Sequence, residues 1–119
     1  MARIIELPTF SDSRGNLTVI EDILPFKVER LYYIYNASGV RGAHRHLNTT
    51  QAMIALSGSC EVHVDDGSNK DIFLLNSPEQ CLILEPEDWH MMRDFSKNCI
   101  LLIAASAKYD PNDYIHDKY

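Results

Sequence analysis

The sequence predicts an all-β protein, a small antiparallel sandwich or barrel, on three observations. Short apolar or alternating runs recur along the chain, explicit turn chemistry separates them, and the i, i+3, i+4 spacing of a long helix is almost absent. The 119 residues fit one domain spanning 1–119, with one core and one site per subunit and no linker or repeat. Regular strands in so short a chain favour closure, because a closed sheet leaves no unpaired edge.

The runs follow in order. Residues 16–21 are apolar on one face, and 28–35 are rich in tyrosine and β-branched residues before Ser38-Gly39 turns the chain. Residues 51–57 run to Ser57-Gly58, 60–65 follow, and Asp65-Asp66-Gly67-Ser68 is the strongest hairpin signal, leading into 71–75. Ser77-Pro78 and Glu85-Pro86 bracket 81–85, and 90–95 and 99–105 complete a set of eight strands. Residues 111–116, opened by a proline after Tyr109-Asp110, are expected to form a helical turn.

Composition narrows the function. With 45% hydrophobic and 24% charged residues the chain can bury a core, which excludes a disordered or low-complexity protein. Eleven basic against seventeen acidic residues give a net charge of -6, which repels phosphate backbones and anionic lipid, so neither nucleic acid nor a membrane is an expected partner. An anionic small ligand is still compatible, because a few arginines converging on one pocket outweigh the global charge at short range. Cys60, Cys81 and Cys99 are odd in number and set among apolar neighbours, as buried thiols of a reducing compartment are. The N-terminus carries no apolar run of signal-peptide length, and the expected location is the cytoplasm.

The densest polar cluster is Arg41-Gly42-Ala43-His44-Arg45-His46. On an extended strand His44 and His46 share one face, about 6–7 Å apart at Cα. Two imidazoles in one pocket suit proton transfer near neutral pH, one addressing carbon and the other oxygen. Arg41 is placed to stabilise a developing oxyanion, or else is a solvated turn residue. The spacing of His44-Arg45-His46, Gln51 and Gly58 resembles the first metal motif of the cupin family, with a neutral amide in place of the acidic ligand. The second cupin motif survives only as Pro86-Glu87-Asp88-Trp89-His90, one residue short. A divalent ion there would lack an anionic ligand, so His90 is a weak candidate ligand and no metal is expected.

A closer resemblance spans residues 12–115. Asp12-Ser13-Arg14-Gly15-Asn16-Leu17, Arg30-Leu31-Tyr32-Tyr33-Ile34-Tyr35, the Arg41–His46 motif, Ser57-Gly58-Ser59-Cys60, Asp65-Asp66-Gly67, Trp89-His90-x-Met92-x-Asp94-Phe95-Ser96 and Tyr109-Asp110-Pro111-Asn112-Asp113-Tyr114-Ile115 are similar to the dTDP-4-keto-6-deoxyglucose 3,4-ketoisomerases. The resemblance implies a cupin, a jelly-roll-like antiparallel β-barrel, with N-terminal strand exchange in a homodimer. It implies a metal-free and cofactor-free enzyme that moves the keto group of a dTDP-linked 4-keto-6-deoxyhexose from C4 to C3 through an enediol, ahead of amination to a 3-amino-3,6-dideoxysugar. His44, His46 and Arg41 are then the catalytic candidates.

For substrate contacts the candidates are Arg14, Tyr33, Tyr35, Gln51, Trp89, His90 and Arg93. Arg14 suits a diphosphate bidentately, with a surface salt bridge as its plain alternative. Tyr33 and Tyr35 fall on one strand face and Tyr32 on the other, and a hydroxyl or ring facing the pocket would meet sugar or thymine. Trp89, the only tryptophan, is expected at the pocket mouth beside His90. Arg93 packs at the surface or reaches the sugar, whereas His63 and His116 are read as exposed and silent. Three rival functions stand beside this one, of which a metal-dependent cupin such as a dioxygenase is disfavoured by Gln51 and the irregular second motif. A related sugar-nucleotide epimerase would need a His-Asp pair, which is not evident around His44, and a non-catalytic sugar-binding cupin would be expected to lack the histidine pair.

Overall fold

A computed structural model describes all 119 residues. Twelve strands form: β1 (Arg3–Glu6), β2 (Thr9–Asp12), β3 (Gly15–Thr18), β4 (Arg30–Tyr35), β5 (Arg41–His46), β6 (Gln51–Ser57), β7 (Cys60–Asp65), β8 (Lys70–Leu75), β9 (Gln80–Leu84), β10 (Trp89–Arg93), β11 (Ile100–Ala105) and β12 (Tyr114–Ile115). Each of the eight predicted runs contains one of them, within a few residues at the ends. Four strands lie outside those runs: β5 is the polar Arg41–His46 cluster, which has no apolar alternation, and β1, β2 and β12 carry too few residues to show a period. The predicted turn at 111–116 is a 3-10 helix only over Pro111–Asp113, after which the chain returns to strand. The Asp110 side chain caps that helix by accepting from the Asn112 backbone N–H.

Two five-stranded sheets result, in the orders β1-β9-β6-β11-β4 and β12-β5-β10-β7-β8, and β2 and β3 form a separate hairpin. Every pairing is antiparallel. The facing sides of the sheets make the main core, with Met53, Leu82, Leu84, Leu101 and Ile103 from the first and Cys60, Val62, Val64, Leu75 and Met92 from the second. The outer side of the first sheet is covered as well: Ala52, Ile54, Cys81, Ile83 and Ala104 pack beneath Leu7, Ile23, Leu24 and Phe26 of the N-terminal segment. This two-sided burial explains why β6 and β9 read as apolar runs rather than as alternation. The three cysteines are buried and unbridged, as their apolar neighbours suggest.

The turns behave as their residues dictate. Asp66 closes the β7–β8 hairpin by accepting from the backbone N–H groups of Ser68 and Asn69. Gly58 sits at φ +67°, and a Cβ there would lie 2.3 Å from Ser96 Oγ and 2.8 Å from Cys99 Cα, so no other residue fits the β6–β7 turn.

Candidate active site

The second sheet has one irregularity, and it shapes the site. Along β5 and β10 the register runs His44 to His90, then Gly42 to Met91, then Arg41 to Met92. Ala43 is therefore an extra residue, a β-bulge, and Gly42 and Ala43 both sit at positive φ, +84° and +63°. In a regular strand Arg41 and His44, three apart, would face opposite sides. The bulge absorbs one residue and returns Arg41 to the side of His44. Gly42 is required here, because a Cβ would lie 3.1 Å from Met92 Sδ and 3.2 Å from the His90 carbonyl oxygen.

Arg41 and His44 line a cavity of about 370 Å³ between the sheets, with Arg30 and Tyr32 of β4, His90 and Met92 of β10, and Tyr109 and Tyr114 of the C-terminal segment. His44 lies at the centre of the cluster. Its ring centroid is 5.0 Å from His46, 5.0 Å from His90 and 4.7 Å from Tyr114. The inference that His44 and His46 share a face holds. His90, weak as a candidate from its broken motif, joins them because β10 pairs it directly across from His44.

Each buried imidazole has a defined partner behind it. His46 Nδ1 lies 2.8 Å from Asp113 Oδ2, and both groups are buried. Asp113 also accepts from the Asn48 backbone N–H and from the Thr49 hydroxyl. Burial alone would raise its carboxyl, but the hydrogen bonds from Thr49, Asn48 and His46 hold it below the usual aspartate range. An ionised carboxylate only accepts, so His46 carries its proton on Nδ1 and its lone pair on Nε2. That Nε2 is buried and has no protein partner. His90 Nδ1 donates to the Asp88 carbonyl at 3.0 Å, which likewise leaves its Nε2 as the free acceptor.

Burial depresses all three histidines. His44 falls to about 4, through desolvation and then the neighbouring His46. His90 falls to about 3, through desolvation above all. His46 is lowered by burial, with Asp113 opposing. At neutral pH three uncharged imidazoles therefore face one another with lone pairs available, the state a general base needs. One nitrogen from each lies within 4.8 Å of the others, so the same cluster has the donor set to ligate a divalent ion, with Asp113 as the anion behind it.

The remaining sequence candidates lie elsewhere. Tyr33 and Tyr35 pack together at 5.9 Å on the exposed outer face of β4, because strand alternation turns Tyr32, not them, toward the histidines. Trp89 is not at the mouth of this cavity. Strand alternation puts it with Met91 on the outer face of β10, lining a separate 450 Å³ cavity, with its Nε1–H on the His116 carbonyl and Lys118 over its ring. Arg93 ends β10 half-exposed beside Asp94, on the side away from His90. Arg14 sits on the exposed β2–β3 turn, paired with Asp12 at 2.6 Å, and does not reach the histidines of its own subunit. Gln51 is buried behind the cavity, donating to Tyr32. His116 is exposed, but its ring lies 6.3 Å from His44, and His63 is half-buried against Glu61.

Sequence reasoning missed Asp113, Tyr114, Arg30 and Tyr109. They come from distant segments, and only the pairing of β12 with β5 brings Asp113 and Tyr114 beside His46. The His-Asp pair that had seemed absent around His44 is present at His46.

Two antiparallel sheets packed face to face with a histidine cluster between them define a cupin. The chain belongs to the family described as FdtA, WxcM-like, C-terminal, whose model matches residues 1–119. It is 40% identical over 117 residues to the TDP-4-oxo-6-deoxy-alpha-D-glucose-3,4-oxoisomerase of Aneurinibacillus thermoaerophilus, covering 95% of this chain and 84% of that one. A 3,4-ketoisomerase from Helicobacter canadensis superposes with a TM-score of 0.92 at 38% identity, over 98% of this chain and 90% of that one. A histidine-to-asparagine mutant of the 3,4-ketoisomerase QdtA from Thermoanaerobacterium thermosaccharolyticum, in complex with TDP-4-keto-6-deoxyglucose, gives 0.93 at 35% identity, over 98% and 87%.

Proposed function

We propose that this protein is a sugar-nucleotide 3,4-ketoisomerase acting on dTDP-4-keto-6-deoxyglucose. The observation that carries the reading is the His46–Asp113 pair beneath a cavity shared by His44, His90 and two arginines. His46 Nε2, made basic and oriented by the carboxylate behind it, removes the C3 proton. The C3–H electrons form the C3–C4 double bond, and the C4 carbonyl electrons move onto O4, which is protonated to give the enediol. Loss of the O3 proton then regenerates a carbonyl at C3 while C4 gains a proton. His44 serves the oxygens, and Arg41 and Arg30 offset the negative charge that develops on them. The chemistry is proton transfer throughout and runs without a metal. An epimerase would use the same pair, but the ketoisomerase relatives at 35–40% identity favour movement of the ketone.

The working unit is a homodimer. The β2–β3 hairpin pairs only with itself and exposes Phe10 and Leu17, while β4 exposes Leu31, Tyr33 and Tyr35. Exchange of the N-terminal strands would cover such surface and carry Arg14 toward the partner's nucleotide. Light scattering that gives a monomer mass at working concentration would remove this part.

The test of function is incubation with dTDP-4-keto-6-deoxyglucose in deuterated water, followed by NMR. A 3-keto product with deuterium at C4 is expected. His44→Asn and His46→Asn should each lose roughly 100- to 10,000-fold in turnover while binding dTDP normally. Inversion without migration of the ketone would establish the epimerase, and dTDP binding with no reaction would establish the sugar-binding cupin.

A further inference from the structure

Gln51 and Tyr32 form a unit that the proton-transfer scheme leaves without a role. Gln51 opens β6 and is 1% exposed, and its Nε2 donates to Tyr32 Oη at 2.8 Å. Its Oε1 is buried and unpartnered, a cost that a core glutamine does not ordinarily carry. A phenol oxygen that accepts from Gln51 keeps its own hydrogen to give away. No protein group takes that hydrogen. Tyr32 instead lines the histidine cavity, where its neighbours Arg30 and Arg41 are donors and its hydrogen is open to an acceptor on a bound ligand. Burial and the nearby Tyr114 raise the phenol above its ordinary range, so it stays protonated at neutral pH.

We propose that Tyr32 is a catalytic residue that donates its hydroxyl hydrogen to the carbonyl oxygen of the bound keto sugar and to the oxyanion that replaces it, and that Gln51 is the positioning residue that holds the phenol in the donor role. This rests on the ketoisomerase reading. It also explains why the position where other cupins carry an acidic ligand holds a neutral amide. A carboxylate at 51 would accept from the phenol and turn the donor away from the sugar, whereas the amide NH₂ leaves it free.

Turnover of dTDP-4-keto-6-deoxyglucose by the wild type tests the underlying reading, and the variants test this proposal. Tyr32→Phe should lower kcat by roughly 100- to 1,000-fold, with KM and dTDP affinity within about threefold, since the bond strengthens as charge develops. Gln51→Glu, which conserves size and leaves the phenol in place, should reproduce most of that loss, and Y32F/Q51E should be no worse than Y32F alone. A second readout needs no turnover. In substrate held by His46→Asn, the ketone C=O stretch should move to higher frequency when Tyr32→Phe or Gln51→Glu is added. Wild-type kcat in Tyr32→Phe or in Gln51→Glu, additive losses in the double variant, or an unmoved C=O band would each overturn the assignment.

Discussion

The two five-stranded sheets are both antiparallel throughout, yet they bury different chemistry. The first is buried on both faces along β6 and β9 and contributes mainly aliphatic and sulfur-bearing side chains to two apolar clusters, while its edge strand β4 exposes Tyr33 and Tyr35 outside. The second continues that core along β7 and then, at β5 and β10, turns His44, His46 and His90 inward. The first sheet gains stability from nearly every buried position, at about 25 cal/mol per Å² of apolar surface. The second gives some of it up, because a buried neutral imidazole or an unpartnered nitrogen stabilises nothing. The histidines sit beside the Ala43 bulge, where the second sheet's ladder is interrupted, and the apolar strands of the first sheet back them, with Tyr32 and Gln51 reaching the site from that side.

The sharpest way to break this division is one substitution in each half. Asp113→Asn leaves the β12–β5 pairing in place but removes the charge behind His46, so kcat should fall by roughly 100- to 10,000-fold. Ile103→Ala in the first sheet should destabilise the fold by about 2–5 kcal/mol in denaturant unfolding while turnover per folded molecule stays near wild type. If Ile103→Ala silences the folded enzyme, or Asp113→Asn does not, the apolar core and the histidine cluster are not functionally separate.

A smaller effect concerns metal. Three neutral imidazoles whose nitrogens converge compete for a proton or for a cation, but not for both at once. Activity should survive chelator treatment in full, and excess Zn²⁺ should inhibit by occupying the lone pairs that the reaction uses. Loss of activity on chelation, restored by one ion per chain, would replace metal-free proton transfer with metal-assisted chemistry.

The pH dependence of stability sharpens the comparison further. His44 and His90 titrate in the fold near 4 and 3 but near 6.5 when exposed. Between those values the unfolded chain binds more protons, so stability rises with pH there and is lost as pH falls below about 6.5. Asp113, held low by its hydrogen bonds, adds stability above its unfolded range that is lost at still more acidic pH. His90→Gln should flatten the upper part of a pH–Tm curve, and an unchanged slope would mean that His90 does not contribute to it.

What was legible in the sequence follows the same division. Seven of the eight longer strands, all but β5, depend on local period and turn chemistry that a single strand displays, and the same-face placement of His44 and His46 follows from alternation alone. Asp113, 67 residues from His46, was invisible because its role depends on a two-residue strand that has no period of its own. Trp89 was misplaced through its neighbour, since adjacency to His90 along a strand means the opposite face. Tyr33 and Tyr35 were drawn toward the ligand by their chemistry, although of the three tyrosines on that strand only Tyr32 lines the cavity. The bulge at Ala43 had only a Gly-Ala pair to announce it, so the return of Arg41 to the side of His44 was not derivable from alternation.

The smallest expected effect lies outside both sheets, on the β2–β3 hairpin. Arg14 is 88% exposed at its side chain, and its partner Asp12 holds it raised in pKa through their mutual hydrogen bonds. Exposed pairs of this kind contribute little to folding, so Arg14→Ala should leave Tm almost unchanged. Its consequence depends on where the hairpin goes. If strand exchange carries it to the neighbouring subunit's nucleotide, calorimetry should show weaker dTDP binding, roughly 10-fold for the loss of one charge-assisted contact. Mixed dimers that pair one Arg14→Ala subunit with one His46→Asn subunit would then keep a fully functional site only if Arg14 acts across the interface. Both defects then fall together in the other site, whereas action within its own chain would leave one defect in each site, and equal dTDP affinity in wild type and Arg14→Ala would return the arginine to its role as a surface ion pair.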